Sequence, residues 1–250
     1  MDSDLFERRM RELEYFHALR LLPGTWTVVR VDGRGFSRVT EQAFEKPFDP
    51  RFHQLMVGTA TTLLQELNAL YAYTESDEIS VLCPRAWDMF DRELEKIVSV
   101  TAGIASAAFT HAAATPAHFD SRIWLGADAA QAADYFRWRE TDALRCALNG
   151  WCYWTLRKAG RTVRQATAAL DGQSVAAKRA LLLEHGIAFD DLPAWQRRGT
   201  GLYWEEYQKE GYNPVRDERV VTTRRRVKVD RDLPAGDEYG AFLGRFLDQG

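Results

Sequence analysis

Cysteine is scarce in this 250-residue chain, and Cys83, Cys146 and Cys152 share no C-x-x-C spacing. That excludes a disulfide framework and gives no zinc signature. Cys146 and Cys152 fall in an apolar helical stretch, which predicts core thiols. His17, His53, His111, His118 and His185 show no ligand spacing, so none is assigned to a metal. No Walker-type glycine loop and no Ser–His–Asp arrangement occur. An excess of one charge is also missing: 33 Lys and Arg stand against 36 Asp and Glu, a net −3. A basic coat over the whole surface is thereby excluded, although a local basic patch is allowed. No apolar run is long enough to span a membrane, and the start at Asp2-Ser3-Asp4 carries no apolar signal region, so a cytoplasmic chain is expected.

Hydrophobic residues make up 46% of the chain, enough for a sizeable core in one large domain or two small ones. Leu5 to Leu22 reads as a charged amphipathic helix stopped by Pro23-Gly24. Trp26 to Val31 reads as a strand. Phe52, Leu55, Met56, Ala60, Leu63, Leu64 and Leu67 recur at helical spacing. Leu70 to Thr74 and Ile79 to Leu82 form a hairpin with acids at its tip, and Trp87 to Ala105 is helical. Ala107 to Thr110 and Arg122 to Leu125 are candidate strands. The order β-α-β-β-α-β predicts an α+β fold of the ferredoxin-like type, which also forms the palm of many polymerases and cyclases. Residues 1–126 are expected to be this palm with its N-terminal helix. Residues 127–250 are expected to be a helical and β extension packed on it. Within that extension Ala127 to Ala159 and Ser174 to His185 read as helices. Thr200 to Tyr207 and Arg219 to Val229 read as strands joined by a turn at Gly211 to Pro214.

Two segments carry most of the chemistry, Arg30-Val31-Asp32-Gly33-Arg34-Gly35-Phe36 and Tyr73-Thr74-Glu75-Ser76-Asp77-Glu78. Each places acid at the end of an apolar strand-like run. Acids at strand ends also arise simply because turns favour Asp. Brought together at one sheet edge, however, Asp32 and Asp77 make a site for two Mg²⁺ that orient a triphosphate and an attacking hydroxyl. Glu78 adjoins them as an outer-sphere group or proton acceptor. Gly33, lacking a side chain, lets phosphate or metal approach the backbone. Lys46, Arg92 and Lys96 are candidate triphosphate contacts. Arg92 and Lys96 share a helix face, and Glu93 and Glu95 beside them equally describe a solvated mixed-charge surface. Arg224, Arg226 and Lys228 fall on one face of a strand. They could track an RNA backbone or guard an edge strand by charge.

With Phe119-Asp120-Ser121-Arg122, Asp134-Tyr135-Phe136-Arg137-Trp138-Arg139 and Gly199-Thr200 added in order, the chain resembles the tRNA-His guanylyltransferase family, including its bacterial and archaeal guanylyltransferase-like branch. The resemblance covers Val28 to about Lys228. It implies a 3′-to-5′ nucleotidyltransferase. The family activates the 5′ end of tRNA with ATP and then adds a nucleotide through the 3′-hydroxyl of GTP. It implies two Mg²⁺ held by Asp32, Asp77 and the Gly33 carbonyl, with Glu78 in support. Arg34, Gly35, Phe36 and Ser37 are implied near the nucleotide, with triphosphate on Ser76, Lys46 and Lys96. Arg122, Trp138, Arg139 and Lys178 are implied on the RNA side, and a homotetramer built as a dimer of dimers is implied as well.

Two departures stand out. Glu93 occupies the place where the family's helix pattern has arginine, with Arg92 one position earlier. Asp142 to Trp151 lacks the His and Asn that the eukaryotic enzymes use on the anticodon. That favours the branch that repairs truncated 5′ ends on a template. A palm-type cyclase or signal synthase, or a non-catalytic RNA-binding palm, are the alternatives.

Overall fold

The strand Trp26–Gly33 buries side chains on both faces, and this sets the layering. The computed structural model describes residues 3–213 and 217–248. In chain order the elements are α1 (Ser3–Glu12), β1 (Trp26–Gly33), α2 (Phe36–Ala43), α3 (Pro50–Glu66), β2 (Tyr71–Glu75), β3 (Glu78–Cys83), α4 (Leu94–Ala113), β4 (Phe119–Gly126) and α5 (Ala129–Lys158). There follow α6 (Val163–Leu170), α7 (Val175–Glu184), α8 (Ala194–Arg198), β5 (Thr200–Asn213), β6 (Glu218–Asp230) and α9 (Asp237–Leu247). The strands form one antiparallel sheet in the order β4-β1-β3-β2-β5-β6. The fold is α+β.

Alternation along β1 separates two cores. Val29 and Val31 join Ile79 and Val81 against Met56, Ala60 and Leu63 of α3 and Ile97 and Phe109 of α4. Trp26 and Val28 face the other way, with Tyr71, Tyr73 and Leu82, onto Tyr135 and Phe136 of α5 and Leu243 of α9. Helices on both faces explain why the strands read as nearly continuous apolar runs. The second half of α5 supports a third cluster, where Leu148 and Cys152 meet Leu182 and Phe189. Helix starts follow local chemistry. The Asp49 carboxylate accepts from the Arg51 N–H ahead of α3, with Pro50 at the first turn. Thr162 and Gln165 close a capping box on α6.

Several boundaries differ from the sequence expectation. Ala107 to Thr110 is not a strand but the continuation of α4, where Ala105 and Phe109, four apart, stay on the buried stripe. Its alanines favour helix over sheet. The N-terminal helix ends at Glu12, and only a 3₁₀ turn follows at Tyr15–Ala18. The chain is then drawn to α4 by Leu21 N–H donating to the Arg92 carbonyl. Helix does not begin at Trp87: a turn at Met89–Arg92, with Phe90, Asp91 and Arg92 at positive φ, precedes α4. The sequence reading also passed over α2, α6, α8 and α9. The C-terminal strands are longer than expected and belong to the main sheet, because β5 pairs with β2 from Thr74↔Thr200 to Tyr71↔Tyr203. Beyond Tyr203, β5 and β6 continue as a two-stranded ribbon. Pro214 of the expected turn lies outside the described residues. Among the described residues, no helix is long and apolar enough to cross a membrane.

Candidate active site

Strand register assembles the acids. Asp32 lies opposite Glu78 on β3 and opposite Asp120 on β4. The β2–β3 turn carries Ser76 and Asp77, and the Gly33 N–H donates to the Asp77 carbonyl at 3.0 Å, which ties that turn to the end of β1. Gly33 is held close to Phe36: a Cβ there would come 2.5 Å from the Phe36 ring. Phe36 itself is core, packed edge-on against Phe52 and Phe109. Gly35, at φ 73°, takes the left-handed turn that starts α2.

The acids strain against one another. Burial, then the charge of Asp120, holds the Asp32 carboxyl above its ordinary range, with Arg122, Arg30 and Arg139 opposing. Burial, then Asp32, raises Asp77, with the Ser76 hydroxyl and Lys46 opposing. The Ser76 hydroxyl donates to Asp77 Oδ1 at 3.1 Å. Glu75 is pushed to about 8, by burial and then Glu78. Among the described residues no three His, Cys, Asp or Glu side chains form a closed metal cage. Two oxygen-ligand acids on an open edge suit a cation that takes one or two carboxylates and completes its shell with phosphate and water, as Mg²⁺ does.

A cavity of about 370 Å³ opens toward α2 and α3, with Ser37, Lys46, Ser76 and Asp77 on one side and Tyr153 and Trp154 of α5 on the other. Lys46 Nζ donates to Thr40 Oγ1. Burial lowers its affinity for the proton, and Glu41 and Asp77 offset this. His53 also lines the cavity, with its ring stacked 4.3 Å from Trp195 and Nε2 2.8 Å from Thr200 Oγ1. Burial, then Arg231, pushes His53 from 6.5 down to about 4. A histidine depressed on folding binds its proton more readily in the unfolded chain. Its contribution to stability is therefore complete above about pH 6.5 and is lost as pH falls toward 4. His53→Gln is expected to reduce the loss of unfolding free energy across that window by up to about 3 kcal/mol, and so to flatten the fall in Tm. Superimposable Tm–pH profiles for the two proteins would refute the assignment.

A second, open groove lies toward the first half of α5. It shares Asp32, Ser76 and Asp77 with the acid edge and adds Arg30, Trp138 and Cys146. Sequence reasoning passed over Arg30 as a site residue, although it lies two residues before Asp32 and so on the same strand face. Asp120 was visible only as part of a motif. Its place opposite Asp32 needs the β1–β4 register.

Several expected residues are placed differently. Arg139, expected on RNA, is buried and donates through Nε and a terminal nitrogen to both Glu78 oxygens, each at 2.7 Å. Glu78 is thus a paired, buried acid rather than a free proton acceptor. Arg92 and Lys96 are not brought to the acids within the chain. Arg92 lies in the turn before α4 and Lys96 in the first turn of the helix, so the two do not share a helix face; Lys96 faces Glu93 at 3.6 Å, and 17 residues, about 25 Å of helix, separate it from the end of α4. Arg224, Arg226 and Lys228 share a strand face, but the ribbon leaves the sheet at the end away from the acids. Arg226 is bound to Glu205 at 2.7 Å, and Lys228 approaches it at 3.7 Å. Arg122, half exposed, bonds to Asp120 beside the acid edge. Arg34 is exposed next to Gly35. Lys178 lies on α7, where its carbonyl accepts from Cys152 Sγ. Cys152 is a core thiol as expected, whereas Cys146 is exposed.

Comparison with known proteins fits this geometry. Residues 7–127 match the family model for tRNAHis guanylyltransferase, and residues 130–233 match the Thg1 C terminal domain. The chain is 32% identical over 236 residues to tRNA(His) guanylyltransferase of Debaryomyces hansenii, which covers 88% of this chain and 87% of that one. It is 30% identical over 227 residues to a probable tRNA(His) guanylyltransferase of Mus musculus, covering 83% and 76%. Identity to tRNA(His) guanylyltransferase 2 of Arabidopsis thaliana is 33% over 74% of this chain, which spans only 36% of the plant protein's length. A solved bacterial tRNA(HIS) guanylyltransferase-like protein in complex with ATP superposes with a TM-score of 0.77, at 27% identity, over 96% of this chain and 98% of that one. The same kind of protein in complex with GTP gives 0.74 at 26% identity, covering 97% and 98%. The chain belongs to the tRNA(His) guanylyltransferase family.

Proposed function

We propose that this protein is a nucleotidyltransferase that extends the 5′ end of tRNA in the 3′-to-5′ direction, using ATP to activate the end and GTP or a template-matched nucleotide to extend it. The observation that carries this is the convergence of Asp32 and Asp77 on one sheet edge beside the Lys46 cavity. The order β4-β1-β3-β2, with α3 and α4 packed on one face, supports a polymerase-like, ferredoxin-type palm. Asp32 and Asp77 would hold two Mg²⁺ with the Gly33 carbonyl, and the metal when bound neutralises charge developing on phosphate oxygens. Lys46 and Ser76 are positioned to steady a triphosphate in the cavity, with Ser37 beside them.

The segment that replaces the eukaryotic anticodon motif supports end repair over anticodon reading. Ala143, Ala147 and Leu148 are buried, and Arg145 is taken up by Asp142. Sequence-specific RNA recognition needs polar groups on unstacked bases. The test supplies ATP, GTP and Mg²⁺ with three 5′-monophosphorylated substrates: tRNA-His, the same tRNA with its anticodon exchanged, and a tRNA of other identity lacking its first nucleotide. Addition to the truncated tRNA is expected, with less than a roughly 100-fold loss of kcat/KM on anticodon exchange. A nucleotide product formed without RNA would favour a cyclase, and RNA binding without turnover a non-catalytic palm. The homotetramer implied by the resemblance is part of the same proposal, and light scattering of the purified protein tests it.

A further inference from the structure

Trp138 stands out among the aromatic residues of α5. Tyr135 and Phe136 just before it are buried, whereas Trp138 is 53% exposed. The Arg139 guanidinium lies 4.6 Å from its ring centroid and that of Arg30 5.9 Å away. An indole held beside guanidinium groups and still half exposed is a ready platform for a nucleobase, because every base offers a π-face whatever its sequence. Trp138 lines the open groove and not the cavity, yet groove and cavity share Ser76 and Asp77. Two approaches to one pair of acids are what a two-substrate transfer requires. The cavity carries the lysine suited to a triphosphate. The groove, being open, admits a chain that continues beyond it. Arg122, opposite Arg30 in the β1–β4 register, is half exposed and paired with Asp120.

We propose that this groove seats the 5′-terminal nucleotide of the RNA acceptor, its base stacked on Trp138, while the nucleoside triphosphate enters from the Lys46 side. The proposal rests on the 5′-extension function above and specifies where the acceptor lies.

The test uses the full chain with a 5′-monophosphorylated RNA whose terminal base is 2-aminopurine. Stacking on Trp138 is expected to quench the probe on binding. Trp138→Ala should abolish the quench and Trp138→Phe should restore part of it. In nucleotide addition, Trp138→Ala should raise KM for RNA by about tenfold or more and leave KM for ATP and GTP unchanged. With half of the side chain exposed, only a small fall in Tm is expected. Cys146 gives an independent readout, since it lines the groove and is exposed, while Cys83 and Cys152 are buried. RNA, but not ATP or GTP, should protect Cys146 from maleimide. An unaltered quench and RNA KM in Trp138→Ala would overturn the proposal. So would a raised KM for nucleotide alone, which would put a triphosphate's base on the indole. Failure of the wild-type protein to extend any RNA would instead refute the proposed function, and quenching and protection would still report on the groove.

Discussion

Asp32→Asn and Asp77→Asn are each expected to reduce nucleotide addition by about a thousandfold or more, with no loss of thermal stability. Each carboxylate is held above its ordinary range by burial together with a neighbouring acid, Asp120 for Asp32 and Asp32 for Asp77. Removing one charge relieves that repulsion, so a metal-free variant should melt at or above the wild-type temperature. Mg²⁺ gives a readout independent of turnover. A ligand present at ten times its Kd stabilises the state that binds it by about 1.4 kcal/mol. Magnesium should therefore raise the wild-type Tm and leave both variants nearly unmoved. A variant that keeps wild-type turnover, or an equal magnesium shift in all three proteins, would remove Asp32 and Asp77 from the metal site.

Arg139→Ala should cost about 3–5 kcal/mol of stability, because it strands the buried Glu78 carboxylate. For a chain of this length that is a fall in Tm of about 10 °C. The loss should come mainly from the unpaired charge and less from the missing attraction. Glu78→Leu combined with Arg139→Met ought then to recover most of the stability. The measurement is a double-mutant cycle on Tm and denaturation midpoints. A single Arg139→Ala variant melting within 2 °C of wild type would mean that water already reaches Glu78.

The acids were legible in sequence because both signals are local. A β-branched run ending in Asp32 and an acidic hairpin carrying Asp77 identify themselves within a few residues. What decided the fate of Arg139 lies 61 positions away, at Glu78. In sequence, a guanidinium that is paired looks the same as one that is free. Arg92 and Lys96 show a similar limit: four-residue spacing predicts a shared helix face, but Arg92 lies in the left-handed turn before α4 and only Lys96 is on the helix. Cys146 and Cys152 were read alike, yet six residues turn a helix by about 600°, so the two thiols cannot share a face. Ala107 to Thr110 and Arg122 to Leu125 are both candidate strands by sequence. Phe119–Gly126 supplies the strand in one piece, which leaves the alanine-rich run free to complete α4.

The 30-residue helix α5 also limits how the gene can change. Arg139 grips the acid edge, and Tyr153 walls the opposite cavity, 14 residues further along the same rod. Fourteen residues are close to four full turns, so both side chains leave the helix in nearly the same direction. Inserting or deleting one residue between them would swing Tyr153 by about 100° and take it from the cavity while Arg139 kept its hold. Substitutions can accumulate on the exposed face of this stretch, but its length can drift only by whole turns. Related chains should therefore vary in the composition of this interval far more readily than in its spacing.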